Sequence, residues 1–183
     1  MIAPERRPLL LLFGFMGTGK STVGRALAAR TGASFEDLDA AIEAEAGRTI
    51  AELFAEHGED TFRALERTLL LDRLAAPPDL PRIIALGGGT LVSADNRRQA
   101  LARAFVVTLS AEVDTIVARC AGSARPLLAD ATTPERAAER VRALVEARAT
   151  TYDAGHLHLA TDGRSPETLA DTLATRWTPT TSR

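Results

Sequence analysis

Residues 14–21 read G-F-M-G-T-G-K-S, and this stretch decides the fold. It fits the pattern G-x-x-x-x-G-K-[ST], in which backbone amides converge on phosphate oxygens and the lysine reaches the terminal phosphates. The continuous apolar run at residues 9–13 is typical of a strand buried on both faces of a parallel sheet. Helical apolar spacing follows at about residues 21–30. A strand, a glycine-rich loop and a helix in this order predict a site for the phosphates of ATP or GTP.

Lysine is almost absent from the chain. It contains 22 Lys and Arg residues, and all of them except Lys20 are arginine. Arginine replaces lysine well in surface salt bridges, so a surviving lysine indicates a site that needs a compact ammonium group on a flexible stem. Lys20 falls inside the predicted phosphate loop. The predicted ATP-binding residues of this loop are Gly17, Thr18, Gly19, Lys20, Ser21 and Thr22.

Length and composition indicate one ordinary globular domain. The chain has 183 residues, 45% of them hydrophobic, and a net charge of −2, with no charge asymmetry that would favour nucleic acid as a partner. The single cysteine, Cys120, permits no internal disulfide and favours a reducing, cytoplasmic location. The apolar run at residues 9–15 is too short to span a bilayer, so we expect neither a signal peptide nor a membrane segment.

Helix and strand patterns alternate along the chain. Strand candidates lie at residues 82–86, 104–109 and 156–160, and helical apolar spacing occurs at 38–46, 50–56, 60–76, 95–103, 113–120, 134–151 and 166–176. Such alternation predicts an α/β fold with a central parallel sheet of about five strands and helices on both faces. We expect a single domain over residues 9–177, with poorly ordered ends at 1–8 and 178–183.

Two aspartates follow the phosphate loop by about twenty residues. Asp37 and Asp39 end a short extended segment, so their side chains share one face at the strand end that lines the ligand crevice of a parallel sheet. One carboxylate there can hold Mg²⁺, and the other can accept the proton of a substrate hydroxyl. The alternative is helix capping, the commoner role of an aspartate before a helix.

With these motifs in place, the sequence resembles the shikimate kinase family of P-loop kinases. F-R-A-L-E at 62–66, L-G-G-G-T at 86–90 and R-P-L-L at 125–128 look like the family's F-R-x-x-E, triple-glycine and lid motifs. Arg148 with Tyr152 matches its R-x-x-x-Y, although residues 149–151 are A-T-T where the family normally has a proline. The similarity keeps its order from about residue 9 to residue 173. It implies a three-layer fold like that of nucleoside monophosphate kinases, with a mobile lid at about 120–130.

The resemblance implies a reaction and a set of roles. The γ-phosphoryl group of ATP passes to the 3-hydroxyl of shikimate, with Asp39 polarising that hydroxyl and Lys20, Arg125 and Mg²⁺ sharing the charge of the transition state. Arg63 and Arg148 clamp the shikimate carboxylate within a substrate-binding region that includes residues 37–66. The remaining implied contacts are acceptor binding by Gly87, Gly88 and Gly89, metal binding by Ser21 and Asp37, and ATP binding by Arg119, Arg125 and Arg164.

Spacing alone also predicts how Arg63 is held. It lies three residues before Glu66 on a predicted helix, so Glu66 can hold the guanidinium with its paired donors toward the crevice. A solvated surface pair is the alternative for these two residues, and simple packing is the alternative for Tyr152. A gluconate or nucleotide kinase on the same fold, or a nucleotide-binding module without catalysis, are the rival functions. No apolar stripe without a partner favours an oligomer, so a monomer is expected.

Overall fold

Five parallel strands form the central sheet. The computed structural model describes residues 5–75, 80–121 and 133–179. The strands are β1 (Leu9–Phe13), β2 (Ser34–Asp37), β3 (Arg82–Ala85), β4 (Phe105–Ser110) and β5 (Leu157–Ala160), in the spatial order β2-β3-β1-β4-β5. Every strand pair is parallel. The predicted α/β class and strand number are therefore confirmed.

Eight helices accompany these strands within the described residues. They are α1 (Lys20–Thr31), α2 (Leu38–Ala46), α3 (Ile50–Ala75), α4 (Ala94–Arg103), α5 (Val113–Cys120), α6 (Pro134–Ala147), α7 (Ala149–Tyr152) and α8 (Pro166–Arg176). The helix predicted at 134–151 is interrupted at Arg148, where α6 ends and α7 begins. The two helices predicted at 50–56 and 60–76 adjoin in α3, which has a non-helical residue at Gly58. In the described part of the chain, no helix is both long and apolar enough to cross a membrane.

The core has two layers because successive side chains of a strand point to opposite faces of the sheet. Leu9, Leu11 and Phe13 of β1 pack with the apolar faces of α2, α3 and α4. Leu10 and Leu12 face the other way and pack with α1 and α8. All five residues of β1 are buried, as the continuous apolar run predicted. A helix layer, the sheet and a second helix layer give the three-layer arrangement.

The strand order determines where a ligand can bind. β1 pairs with β3 on one side and with β4 on the other, so the loop after β1 leaves the middle of the sheet. In open parallel sheets the ligand crevice lies beyond the carboxyl ends of the strands. The predicted phosphate loop follows β1, Asp37 ends β2 with Asp39 just after it, and Gly87 to Gly89 follow β3. Three separate segments of the chain therefore meet at the carboxyl ends of the strands.

The ends of the domain differ from the prediction. Glu5 was expected to lie in a poorly ordered extension, but it forms a parallel bridge with Trp177, and the amide of Thr178 donates to the carbonyl of Glu5 at 2.9 Å. The indole of Trp177 donates to the carbonyl of Arg7 at 2.7 Å. The ordered domain therefore begins before residue 9 and extends beyond residue 177. Residues 1–4 and 180–183 lie outside the described part of the chain.

Candidate active site

A cleft of about 910 Å³ opens at the carboxyl ends of the strands. It is lined by most of the residues that the sequence predicted for the site: Gly17, Gly19, Lys20, Ser21, Thr22, Asp37, Asp39, Arg63, Gly87, Gly88, Gly89, Arg119 and Arg148. These residues come from six separate segments of the chain. The fold thus brings the phosphate loop, both aspartates and three arginines into one cavity.

The phosphate loop is shaped by glycine conformation. Gly17 and Gly19 have φ angles of 76° and 88°, in the left-handed region that favours glycine, and Gly19 is the N-cap of α1. Helix α1 thus begins at Lys20 with its amides at the cleft, where the helix dipole favours an anion. The Lys20 ammonium donates to the carbonyls of Gly14 and Phe15 at 3.0 and 2.9 Å. The loop therefore combines amide donors with a cation held close to its own backbone.

Thr18 and Arg164 have side chains directed away from the cavity. The Thr18 hydroxyl is buried and donates to the carbonyl of Phe15 at 2.8 Å, so it holds the loop in shape. The Arg164 guanidinium donates to the Thr172 hydroxyl of α8 at 2.7 Å. Neither residue lines the cavity as far as the described residues define it.

Arg119 reaches the phosphate loop from the last turn of α5. Its guanidinium donates to the carbonyl of Gly17 at 3.2 Å and to the Thr161 hydroxyl at 3.0 Å. These contacts put a cation beside Gly17 of the loop. The predicted lid residue Arg125 belongs to a segment outside the described residues.

Ser21 and Asp37 form the part of the cleft that suits a divalent cation. The Ser21 hydroxyl donates to Oδ2 of Asp37 at 2.5 Å, while Oδ1 of Asp37 accepts from the amides of Asp39 and Ala40. Asp37 therefore caps α2, as the alternative interpretation predicted, and it also accepts a hydrogen bond from Ser21. The described residues contain no cluster of three carboxylate, histidine or cysteine ligands. A hydroxyl and one carboxylate fit Mg²⁺, which keeps several waters and takes its other ligands from substrate phosphates.

Asp39 has a strongly perturbed carboxyl group. Burial, followed by the nearby charges of Asp37 and Glu66, raises its pKa from 3.8 to about 6, against the opposing effects of Lys20 and Arg63. A base with a pKa close to neutral exchanges protons efficiently at neutral pH. Perturbation of this kind in a cleft is typical of functional carboxylates.

Arg63 is held by a buried acid. Its Nη1 donates to Glu66 Oε2 at 2.7 Å, and the Glu66 side chain is only 2% exposed. The other Glu66 oxygen accepts from the Thr90 hydroxyl at 2.6 Å. Burial alone would lower the pKa of Arg63, but Glu66 and Glu59 raise it, so the guanidinium stays charged. The predicted pair of Arg63 and Glu66 therefore lies in the cleft and is not a solvated surface pair.

Each glycine of the segment 87–89 faces a different part of the site. A Cβ atom at Gly87 would lie 2.7 Å from Asp39 Oδ1, and one at Gly89 would lie 2.9 Å from Nη2 of Arg63. A Cβ atom at Gly88 would lie 3.4 Å from the amide nitrogen of Met16 in the phosphate loop. The absence of side chains here allows the backbone to approach Asp39, the phosphate loop and Arg63 together.

Tyr152 connects the glycine segment with Arg148. Its hydroxyl donates to the carbonyl of Gly88 at 3.0 Å, and its ring packs against Phe13 and Phe15 with centroid distances of 5.2 and 6.5 Å. Burial raises the pKa of Tyr152, and a hydrogen bond with Arg148 acts in the opposite direction. Tyr152 therefore packs, as the alternative reading held, and it also contacts two functional segments.

Sequence reasoning missed part of the cleft wall. Phe54 and Phe62 line it with ring centroids 4.8 Å apart, and Glu43 and Glu59 add two carboxylates. Helical spacing placed Phe54 and Phe62 on the apolar side of their helices, but it could not separate a core position from a cleft position. Glu59 had no signal of its own, because it is one acid among several on α3.

Comparison with known proteins gives one consistent family. The family model for shikimate kinase matches residues 16–177. A shikimate kinase of Salinibacter ruber is 44% identical over 171 residues, which cover 88% of this chain and 82% of that protein. One of Geobacter sulfurreducens is 40% identical over 176 residues, with 96% and 93% covered. The structure of a shikimate kinase from Acinetobacter baumannii in complex with shikimate is similar, with a TM-score of 0.83, 33% identity and 92% of each chain covered.

Proposed function

Because the chain belongs to the shikimate kinase family, we propose that its cleft transfers the γ-phosphoryl group of ATP to the 3-hydroxyl group of shikimate through the residues described above. One observation carries the assignment of the roles. Asp39, with its pKa raised to about 6, interacts electrostatically with Lys20 of the phosphate loop and with Arg63. The groups proposed as proton acceptor, phosphate-binding cation and carboxylate-binding cation all line one cavity.

The phosphate loop binds the nucleotide in this proposal. The amides of residues 17–22 face the phosphate oxygens, and Lys20 contacts the terminal phosphates. Arg119 contributes a second cation beside Gly17. We keep Thr18 as a backbone ligand only, because its hydroxyl is already bonded to Phe15. Arg164 stays a proposed ATP contact on the basis of the family resemblance alone.

Magnesium is the proposed cofactor, held by Ser21 directly and by Asp37 directly or through water. When bound, it neutralises charge on the phosphates of ATP. The hydrogen bond between Ser21 and Asp37 supports this assignment, because it holds a hydroxyl and a carboxylate oxygen together beside the phosphate loop.

The acceptor side recognises a carboxylate by two arginines. Arg63 and Arg148 both line the cleft, and a planar guanidinium pairs with a carboxylate through two parallel hydrogen bonds. Gly87 to Gly89 and the aromatic pair of Phe54 and Phe62 form the surface against which the ring of the acceptor lies. These contacts direct the acceptor hydroxyl toward Asp39.

Catalysis follows from position and charge. Asp39 accepts the hydroxyl proton while the hydroxyl oxygen attacks the γ-phosphorus in line with the departing ADP. Lys20 stabilises the negative charge on the transferring group. We also propose that Arg125 contributes charge from the lid at 120–130, on the basis of the family motif.

The perturbed pKa of Asp39 predicts the pH dependence of the reaction. The carboxylate form is the active one, so kcat/KM for shikimate should fall about tenfold per pH unit once the pH drops below about 6, where an ordinary aspartate would stay active to about 4. Initial rates at saturating Mg·ATP between pH 5 and 8 measure this, and thermal melting at each pH excludes unfolding. A rate that remains constant down to pH 5 would contradict a proton acceptor with this pKa.

The two arginines disfavour nucleotide acceptors, and the acceptor assay separates shikimate from gluconate. Gluconate shares a carboxylate with shikimate but has a flexible chain in place of a ring, and nucleotide acceptors require recognition of a base. The test is ADP release by the purified protein with Mg·ATP and shikimate, gluconate, nucleoside monophosphates or no acceptor. Release that requires shikimate supports the proposal. Release with another acceptor overturns the roles of Asp39, Arg63 and Arg148, and no release with any acceptor favours a module without catalysis.

We further propose that the enzyme acts as a monomer in the cytoplasm. The sequence has no apolar stripe without a partner that would favour an oligomer. The one cysteine, Cys120, is buried and consistent with a reducing compartment. Light scattering of the purified protein and fractionation of the source cells test the two statements, and a stable dimer or a secreted protein would contradict them.

A further inference from the structure

Arg63 is already occupied on the edge that suits a carboxylate. Its Nε and Nη2 donate to the same oxygen of Glu59, at 3.2 and 3.1 Å, in addition to the bond from Nη1 to Glu66. The Nε and Nη2 hydrogens form one of the parallel donor pairs that recognise a carboxylate through two hydrogen bonds. A second carboxylate can take this edge only after Glu59 leaves it.

The two acids around Arg63 differ in their freedom to move. Glu66 is buried and bonded to Thr90, whereas the Glu59 side chain is 63% exposed. Glu59 also follows Gly58, whose φ of 79° and ψ of 170° interrupt α3. Exposed ion pairs of this type are weak, so an incoming carboxylate can displace Glu59 at low cost. Glu66 therefore positions Arg63 permanently, and Glu59 occupies its open edge reversibly.

Arg148, the other arginine on the acceptor side, has no such competitor among the described residues. Within the described residues Arg148 forms no ion pair with a carboxylate, and its hydrogen bond is to the Tyr152 hydroxyl. The carboxylate of an incoming acceptor can therefore bind Arg148 directly, whereas it must compete with Glu59 for Arg63. The affinity of the site depends on the competition at Arg63.

We propose that Glu59 is a specificity-determining residue, whose carboxylate holds the Nε and Nη2 edge of Arg63 until the carboxylate of the acceptor displaces it. The inference rests on the proposed function, because it assumes that Arg63 binds the acceptor. Glu59 lowers the affinity of the empty site for its own substrate. A neutral acceptor gains little from Arg63, since it cannot replace the charge that Glu59 supplies.

The test compares two matched acids in the same cleft. Glu59→Gln removes the competing charge, and Glu59→Ala removes the oxygen as well. Glu43→Gln is the control, because Glu43 lines the same cavity but accepts from the amide of Ile50 at 2.9 Å and has no bond to Arg63. We expect both Glu59 variants to lower the Kd and the KM for shikimate by about threefold, as is typical for release of an exposed pair. The control Glu43→Gln should change both the Kd and the KM by less than about 1.5-fold.

The measurements are calorimetric titration with shikimate and steady-state kinetics, with thermal melting to establish that each variant is folded. The inference is overturned by a Kd or KM that rises in the Glu59 variants, since Glu59 would then help to position Arg63. A change equal to that of Glu43→Gln also overturns it, because the effect would then be general electrostatics. A wild-type protein that neither binds nor phosphorylates shikimate overturns the proposed function itself and the role of Glu59 with it.

Discussion

Substitution of Asp39 by Asn is expected to lower kcat for shikimate by about 10²–10⁴-fold, the usual contribution of a positioned general base. The amide has the size and shape of the carboxyl group, so it fits the same space beside Gly87. It cannot accept the hydroxyl proton at any accessible pH. The reduced rate should therefore no longer depend on pH near 6.

ATP binding should survive the change. In the proposed mechanism the phosphate contacts belong to the loop and to Lys20, and the hydrogen bond of Ser21 goes to Asp37 instead of Asp39. Asp39→Asn also removes a negative charge from the cleft, so the electrostatic attraction for ATP does not become weaker. Calorimetric titration with Mg·ATP and an ADP-release assay measure the two properties separately.

Glu43→Gln is the control for this variant as well. Glu43 lies one turn after Asp39 on α2 and lines the same cavity, but it is not among the groups that shift the pKa of Asp39. Its variant should keep most of the wild-type rate. An Asp39→Asn enzyme that retains a rate within tenfold of wild type would show that another group accepts the proton.

The sequence predicts the phosphate loop well because the loop is a local structure. Positive φ angles at Gly17 and Gly19, the buried strand before them and the helix after them all depend on neighbouring residues. The strand order β2-β3-β1-β4-β5 depends on pairing between residues that are far apart in sequence, and no pattern in one sequence encodes it directly. The layers follow from local helix and strand patterns and were therefore predictable, whereas the order of the strands was not.

The difference between local and long-range structure also explains which site residues could be predicted from the sequence. Arg63 and Glu66 were found from spacing on one helix, because residues three apart share a face. Glu59 shares that face too, at four residues from Arg63, but spacing alone cannot separate a competitor in a cleft from a surface ion pair. Thr18 and Arg164 were assigned from their positions in the motif and from the resemblance, whereas the directions of their side chains depend on Phe15 and Thr172. Contacts of this type require the folded structure.

Lys20→Arg is expected to lower kcat by about 10²–10³-fold, the cost of removing one well-placed donor to the transition-state charge. The ammonium group of Lys20 bonds to the carbonyls of Gly14 and Phe15 at 3.0 and 2.9 Å, within a loop that holds it tightly. A guanidinium is larger and planar, so it cannot occupy the same space with the same directions of donation. The positive charge is kept, and only the shape of the group that carries it changes. ADP release and the KM for ATP measure the effect.

The opposite substitution, Arg30→Lys, is the matched control. Arg30 lies in the last turn of α1, the same helix that Lys20 begins, and pairs with Asp171 at 2.8 Å in an exposed position. Because exposed pairs contribute little to stability, a lysine there should leave both the rate and the melting temperature close to wild type. That contrast would show that the chain tolerates lysine where only charge matters and requires it where the shape of the cation matters. If Lys20→Arg retained full activity, the single lysine would be a chance survivor, and a cation of either shape would serve the phosphates.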